Sequence, residues 1–528
     1  MSKIRGNLTH VPGGALAGLV AAAVALGVAQ LAAALTGPQG TPVVAVGGVA
    51  ITLTPEPVKD FAIAHFGSHD KQVLVLGILV ILAVFAALIG VLATYRAVYG
   101  LAGLAVFGGV GVAAAVTRPA AIALDALPAV AGAVAGAVAL LLLAASLAGT
   151  SAAGRRPGRL AAAASQSLDT GMQRPGRRRF LILSAGAAVL AAASAGAGEL
   201  AQRRFSVAAL RAAVQLPAPV RPAPATPAGS QLPVPGITPF YTSNSSFYRV
   251  DTDIVLPQVS PDQWVLRVHG MVTRDLQISF DELLRRPLIE ADITLACVSN
   301  QVGGHLAGNA RWLGAGLARL LREAGVRSGA DQILSTSTEG MTISTPLAAV
   351  IDDPDAMLAV GMNGRPLPVA HGFPARMMVP GLYGYCSGTK WVTDLKLTTF
   401  AAEQAYWTQR GYAAQAPIKT MSRIDVPRPL QQVKAGRTPV AGVAWAPRRG
   451  IDAVEVRVDN GPWHRACLAA VPGIDTWRQW VWHWDARPGL RQLQVRAIDG
   501  TGATQPATRV PPLPNGATGW DSTAVTVT

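Results

Sequence analysis

Between residues 371 and 391 the chain reads HGFPARMMVPGLYGYCSGTKW. His371, Arg376 and Lys390 are cations or can become cations, and Gly381, Gly384 and Gly388 let backbone N–H groups approach a ligand closely. Converging cations beside open backbone suit an anion such as a phosphate. The competing reading is a solvated basic loop rich in glycine. A second stretch, DITLACVSNQVGGHLAGNARW from Asp292 to Trp312, holds one of only three cysteines. Cys297 falls where a strand gives way to a glycine-rich loop. It is either a small apolar residue closing that strand or a thiolate presented to a partner. Three cysteines exclude a zinc site of paired Cys motifs and an iron–sulfur cluster held by thiolates alone.

These residues need elements to hold them. The alternation in WVLRVHGMV (Trp264–Val272) predicts a strand. Ser279 followed by Glu282 forms a capping box opening a short helix that Pro287 ends. ARWLGAGLARLLREAG predicts a helix with Leu313, Leu317, Leu320 and Leu321 on one face, closed by Gly325. Strands and helices mix without a βαβ rhythm, which predicts an α+β domain. Beyond it, IDAVEVRVDNGPWHRA predicts two strands about the Asp459-Asn460-Gly461 turn. WRQWVWHWDA and LRQLQVRAID continue the pattern, as expected of an immunoglobulin-like β-sandwich. Its tryptophans 463, 477, 480, 482 and 484 read as core and as a packing face.

Residues 1 to about 200 are of another kind, rich in Ala, Val, Leu and Gly with few charges. Four stretches, roughly 11–35, 73–95, 97–117 and 120–149, are apolar and long enough to cross a bilayer core of about 30 Å. A fifth, Phe180–Gly198, is weaker. Lys3 and Arg5, Arg96, and the run Arg155, Arg156, Arg159, Arg174, Arg177, Arg178 and Arg179 all fall on one side if the spans number five. The positive-inside rule makes that side cytoplasmic, so everything after about residue 200 lies outside. Much of the +15 net charge thus reads as topology rather than as a nucleic-acid surface. GRRRFLIL (Gly176–Leu183) resembles a twin-arginine export signal, or else its arginines are plain topology anchors; both put the following domain outside. The HVPGG at His10 offers no partner histidine for haem, and His65 and His69 read as part of a solvated loop or interfacial helix. Eight prolines between Arg211 and Phe240 predict an extended tether of about 3.1 Å per residue that packs on nothing. The expected domains are a helical transmembrane bundle (1–200), the linker (201–240), the α+β domain (241–415) and the sandwich (416–528).

Taken together and in order, FYRVDT, LACVSN, GNARW, VGMNGRPLPVAHGFPARMMVPGLYG and TKWVTDLKL resemble the sulfite oxidase family of molybdopterin-dependent oxidoreductases, in a bacterial, membrane-anchored form. The resemblance covers residues 240 to 528. It implies a sulfite-oxidase-like molybdopterin domain followed by a dimerising sandwich, hence a homodimer. It implies that Cys297 is the one protein ligand of a molybdenum held by molybdopterin. It further implies pterin contacts from Phe247, Tyr248, Arg249, Ser337, His371 and Arg376, and a phosphate grip at Gly388, Thr389 and Lys390. Arg249 would face the substrate, and Tyr412, in AYWTQRGY, would be an active-site tyrosine. Cys386 and Cys467 stay ordinary thiols.

The implied reaction is oxygen-atom transfer on a small oxo substrate. The chain departs from the animal and plant sulfite oxidases after the metal cysteine, where those have Ala-Gly-Asn-Arg-Arg and this chain has Val298-Ser299-Asn300-Gln301-Val302. An arginine that helps seat sulfite is missing, so reduction of a neutral sulfoxide such as methionine sulfoxide competes with sulfite oxidation. A non-catalytic binding or sensory protein on the same fold is the remaining alternative. With no haem or iron–sulfur motif in this chain, electrons would pass to or from a separate cytochrome or quinone. The expected location is a bacterial cell membrane, multi-pass, with the catalytic domain extracytoplasmic.

Overall fold

The computed structural model describes residues 11–66, 70–118, 121–152 and 175–528. The chain forms two compact units, Met1–Ser206 with Thr252–Val255, and Val207–Asp251 with Leu256–Thr528. In the first unit all five apolar stretches are helices: Val11–Thr36, Asp70–Tyr95, Ala97–Val116, Leu127–Ala152 and Pro175–Gln202. Each contains a segment long and apolar enough to cross a membrane. Small residues let these helices touch backbone to backbone. A Cβ on Gly18 would run into the carbonyl of Ala86, and one on Gly90 into that of Gly14. Two further helices, Pro42–Leu53 and Glu56–Phe66, lie between the first two long ones, and the first of these is too short to span. His65 belongs to the second, stacked on Phe61 with ring centroids 4.0 Å apart. His10, His69 and the arginines from 155 to 174 lie outside the described residues.

The second unit opens with the proline-rich stretch, which is extended but not a free tether. Val220 N–H donates to the Leu288 carbonyl at 2.8 Å, and the Arg221 carbonyl accepts from Glu290 N–H at 2.8 Å. Farther on, Leu232, Val234 and Ile237 pack on Ala441 and Val481. Proline cannot donate to a ladder, but its neighbours can. The segment therefore runs along a strand edge at Leu288 and Glu290 and over the sheet face at Ala441 and Val481, while much of it stays exposed.

The domain that follows carries β1 (Val265–Gly270), β2 (Leu276–Ser279), β3 (Leu288–Ala296), β4 (Ala307–Gly316), β5 (Gln332–Ser337), β6 (Thr342–Pro346), β7 (Met357–Met362), β8 (Arg365–Pro366), β9 (Arg376–Met378) and β10 (Val392–Thr398). One sheet runs β2-β1-β10-β5-β6; the other runs β3-β4-β7-β8, with β9 also on β7. The Ser279–Glu282 capping box forms as expected and opens the helix Phe280–Arg285. The long helix expected from residue 310 does not form. Ala307–Gly316 is strand β4, paired to β3 and β7, and the helix is confined to Leu317–Ala324. Gly308, Gly314 and Gly316 disfavour a helix, and a Cβ at Gly314 would strike the β7 backbone at Leu358. The helix ends on Gly325 at φ 70°, the left-handed stop the sequence predicts.

The last hundred residues add β11 (Met421–Val426), β12 (Gln432–Val433), β13 (Gly436–Trp445), β14 (Ile451–Val458), β15 (His464–Arg465), β16 (Cys467–Leu468), β17 (Arg478–Ala486), β18 (Gly489–Asp499) and β19 (Asp521–Val527). They make two sheets, β11-β13-β17-β16 and β12-β19-β18-β14-β15, whose apolar residues share one cluster. Asp459 and Asn460 both take positive φ, 51° and 61°, as a tight hairpin turn requires. Trp477, Trp480 and Trp484 are buried, whereas Trp463 and Trp482 are half-exposed.

Candidate functional site

Cys297 follows the last residue of β3. Its N–H donates to the Leu306 carbonyl at 2.8 Å, and its own carbonyl accepts from Asn300 N–H at 3.1 Å. The Asn300 side chain closes the loop by accepting from Leu306 N–H at 2.8 Å. Cys297 is half-buried, unlike Cys386, whose thiol burial pushes up to about 12. Two tyrosines feel the charge of Cys297. Tyr248 is pushed well above the usual phenol range by burial and then by the Cys297 charge, with Arg376 opposing. Tyr383 rises to about 12, mainly through burial. Both are protonated at neutral pH, so each hydroxyl can donate a hydrogen bond to an anion.

Motifs far apart in the sequence meet behind this thiol. Phe247 packs edge-on to Trp312 at 5.7 Å and to His371 at 5.4 Å, and stacks on Tyr248 at 5.2 Å. Gly308 makes room for it, because a Cβ there would lie 2.7 Å from the Phe247 ring. On Trp312 also lies the Arg376 guanidinium, 5.2 Å from the ring centroid. Arg376 is 4% exposed, and among the described residues its hydrogen bonds go to the carbonyls of His371 (3.3 Å) and Gly388 (3.2 Å). Its Nε–H is buried without a partner, and burial lowers it to about 10. A buried cation with a spare donor and no carboxylate is built to meet an anion.

His371 differs from its expected cationic role. Burial, then the Arg376 and Lys390 charges, bring it down to about 4, so it is neutral at physiological pH. Its Nε2–H donates to the Asn244 carbonyl at 3.2 Å, leaving Nδ1 as the acceptor. The Gly388 Cβ position is 2.8 Å from the Arg376 guanidinium, which rules out a side chain there. A Cβ on Gly372, at φ 108°, would lie 3.1 Å from Lys390.

Lys390 forms a second cationic corner. Its ammonium donates to the Asp251 carboxylate at 2.6 Å, and that carboxylate also accepts from the Arg249 guanidinium at 2.8 and 3.1 Å. The Asp251 side chain is only 4% exposed. Thr389 is buried, with its hydroxyl 2.5 Å from that of Ser335. The Ser337 hydroxyl accepts from Met341 N–H at 3.2 Å. Tyr412 is buried in an aromatic group, 5.4 Å from both Tyr385 and Trp407. Sequence reading overlooked Asp251, Tyr383 and Trp312 as members of this surround. The acid lies inside the quoted FYRVDT, two residues after Arg249, and that spacing was the available signal.

The residues present fit an anionic organic cofactor with a soft metal: a half-exposed thiol, an unspent buried guanidinium and an ammonium, all on glycine-relieved backbone. Residues 253–407 match a known domain, described as the oxidoreductase molybdopterin binding domain. Human mitochondrial sulfite oxidase is 29% identical over 341 residues, 54% of this chain and 61% of that protein. The Drosophila melanogaster mitochondrial sulfite oxidase is 29% identical over 308 residues, 49% of this chain and 52% of its own length. This chain thus spans between half and two-thirds of these relatives. Among solved structures, the sulfane dehydrogenase SoxCD of Paracoccus pantotrophus aligns with a TM-score of 0.49 at 24% identity, over 55% of this chain and 83% of its own. Domain match and site define a molybdopterin-binding oxidoreductase domain. Over about half its length the chain is similar to sulfite oxidases, and residues 253–407 carry the molybdopterin-binding domain.

Proposed function

We propose that this protein is a membrane-anchored oxidoreductase in which Cys297 holds molybdenum and the Arg376–Lys390 segment holds its pterin. When bound, molybdenum–molybdopterin supplies two-electron oxygen-atom transfer. The chain's residues do the rest. Cys297 offers a soft donor from a strand end kept rigid by Asn300. Arg376 binds the pterin through its spare Nε–H, with His371 as a neutral partner beside it. Gly388, Thr389 and Lys390 take the phosphate, Phe247 and Tyr248 border the ring system, and Ser337 reaches it from β5. Arg249 faces the substrate, Tyr248 and Tyr383 supply protonated phenols, and Tyr412 lines the site. The observation that carries this reading is the buried, carboxylate-free Arg376 in the same aromatic surround as Tyr248, which senses Cys297.

One observation bears on the substrate. Arg249 is already bonded to Asp251, so its charge is partly spent before any oxyanion arrives. Gln301 and Val302, both uncharged, stand where the family's pattern has its two arginines. A neutral sulfoxide therefore suits the pocket better than sulfite. The soluble unit lies on the outer side of a bacterial membrane, passed across by five spans. Its C-terminal sheets form an immunoglobulin-like sandwich through which copies pair, and electrons come from or go to a cytochrome or quinone. Assaying sulfite with an artificial acceptor beside methionine sulfoxide with a reduced dye tests the substrate. Turnover of the sulfoxide is expected, and turnover of sulfite alone overturns this choice.

A further inference from the structure

The Arg249–Asp251–Lys390 triad has an unusual composition for a place that receives a phosphate. Two cations converge there, but a carboxylate that is almost fully buried lies between them, 2.6 Å from the Lys390 ammonium and 2.8 Å from the Arg249 guanidinium. The Lys390 ammonium also lies 4.6 Å above the Trp391 ring and 3.5 Å from the Ala370 carbonyl, which limits where else it can point. Any anion that reaches Lys390 must share it with Asp251, and like charges at such range repel strongly where water is scarce.

The geometry points to Asp251 as a built-in counter-charge that weakens the phosphate grip of Lys390 and restrains Arg249, offsetting part of the positive charge that the two cations bring to the corner. This rests on reading Lys390 as the phosphate anchor. Asp251 touches neither the metal nor the reacting atoms; it is a positioning residue that acts through its two partners. Asn in its place keeps the size of the side chain but removes the charge and one of the two acceptors, which makes the corner more attractive to anions. The device keeps Arg249 and Lys390 ordered together, at the expense of cofactor affinity.

The test uses purified full-length holoprotein and measures the half-time of pterin release in mild denaturant, read as fluorescence of the oxidised pterin in the filtrate. Asp251→Asn should release pterin at least fivefold more slowly than wild type, and Asp251→Glu should match wild type. On a Lys390→Met background the Asp251→Asn effect should shrink to less than twofold, because the cation it unmasks has gone. Release from Asp251→Asn that is equal to wild type, or faster, overturns the inference while leaving the cofactor assignment intact. Wild-type protein that holds no pterin overturns the assignment itself, and the inference with it.

Discussion

Two buried arginines in the soluble unit lead opposite lives. Arg423 is 2% exposed and spends its guanidinium fully: on Asp425 at 2.8 Å, the Gly304 carbonyl at 2.7 Å and the Thr238 hydroxyl at 2.9 Å. Arg376 is 4% exposed and meets no carboxylate, only two carbonyls and the face of Trp312. Desolvation costs both alike, yet only the first is compensated by an acid of the chain. The difference separates a cation compensated within the fold from one left able to meet an anion. Lys390 stands between the two, since Asp251 compensates it in part.

That contrast can be broken by experiment. The largest effect should come from the thiol in front of Arg376. Cys297→Ser should reduce turnover by about a thousandfold or more while most of the pterin remains, because the metal's chemistry and the pterin's anchors are separate. Loss of all pterin from this variant would contradict that separation. Next come the arginines themselves. Arg423→Met leaves Asp425 buried without its partner, and should destabilise the soluble unit by about 3–5 kcal/mol in urea titrations. Arg376→Met strands no carboxylate; its unfolding midpoint should move little, while pterin per chain falls about tenfold or more. Equal destabilisation by both would erase the distinction.

A smaller effect sharpens the picture at the Asp251 corner. Arg249→Ala should raise KM for sulfite about tenfold but leave KM for methionine sulfoxide within about twofold, since only the anion draws on that charge. An unchanged sulfite KM would mean that Arg249 does not seat the anion. The smallest effect is one of pH. His371 sits near 4 in the folded protein and near 6.5 when unfolded, so between those values the unfolded chain binds more protons. Its contribution is present above about 6.5 and is lost as pH falls toward 4. His371→Gln should flatten the stability profile over that window, as read by thermal unfolding in a pH series. A profile unchanged by the substitution would show that His371 does not titrate as its burial requires.

Features encoded locally were legible in the sequence. The Ser279–Glu282 capping box, the left-handed Gly325 and the Asp459-Asn460 turn each depend on a few adjacent residues, and each appears as read. Strand β4 was misread because Leu313 joins the spacing of Leu317, Leu320 and Leu321, whereas the pairing of residues 307–316 with β3 and β7 is non-local. The proline-rich stretch was misread for a similar cause: its partners, Leu288, Glu290 and Val481, lie from about seventy to more than two hundred positions away. At the site, the cationic and thiol residues stood out by type. The counter-charge at Asp251 and the neutrality of His371 did not, because both follow from burial and from neighbours that only folding supplies.

The central claim is that one thiol and one uncompensated guanidinium hold a molybdenum cofactor. Molybdenum and oxidised pterin should be measured together in full-length protein purified from molybdate-replete cells. The account predicts close to one of each per chain, with the pterin largely lost from Arg376→Met and retained in Cys297→Ser. Wild-type protein from the same cells carrying neither molybdenum nor pterin would contradict it.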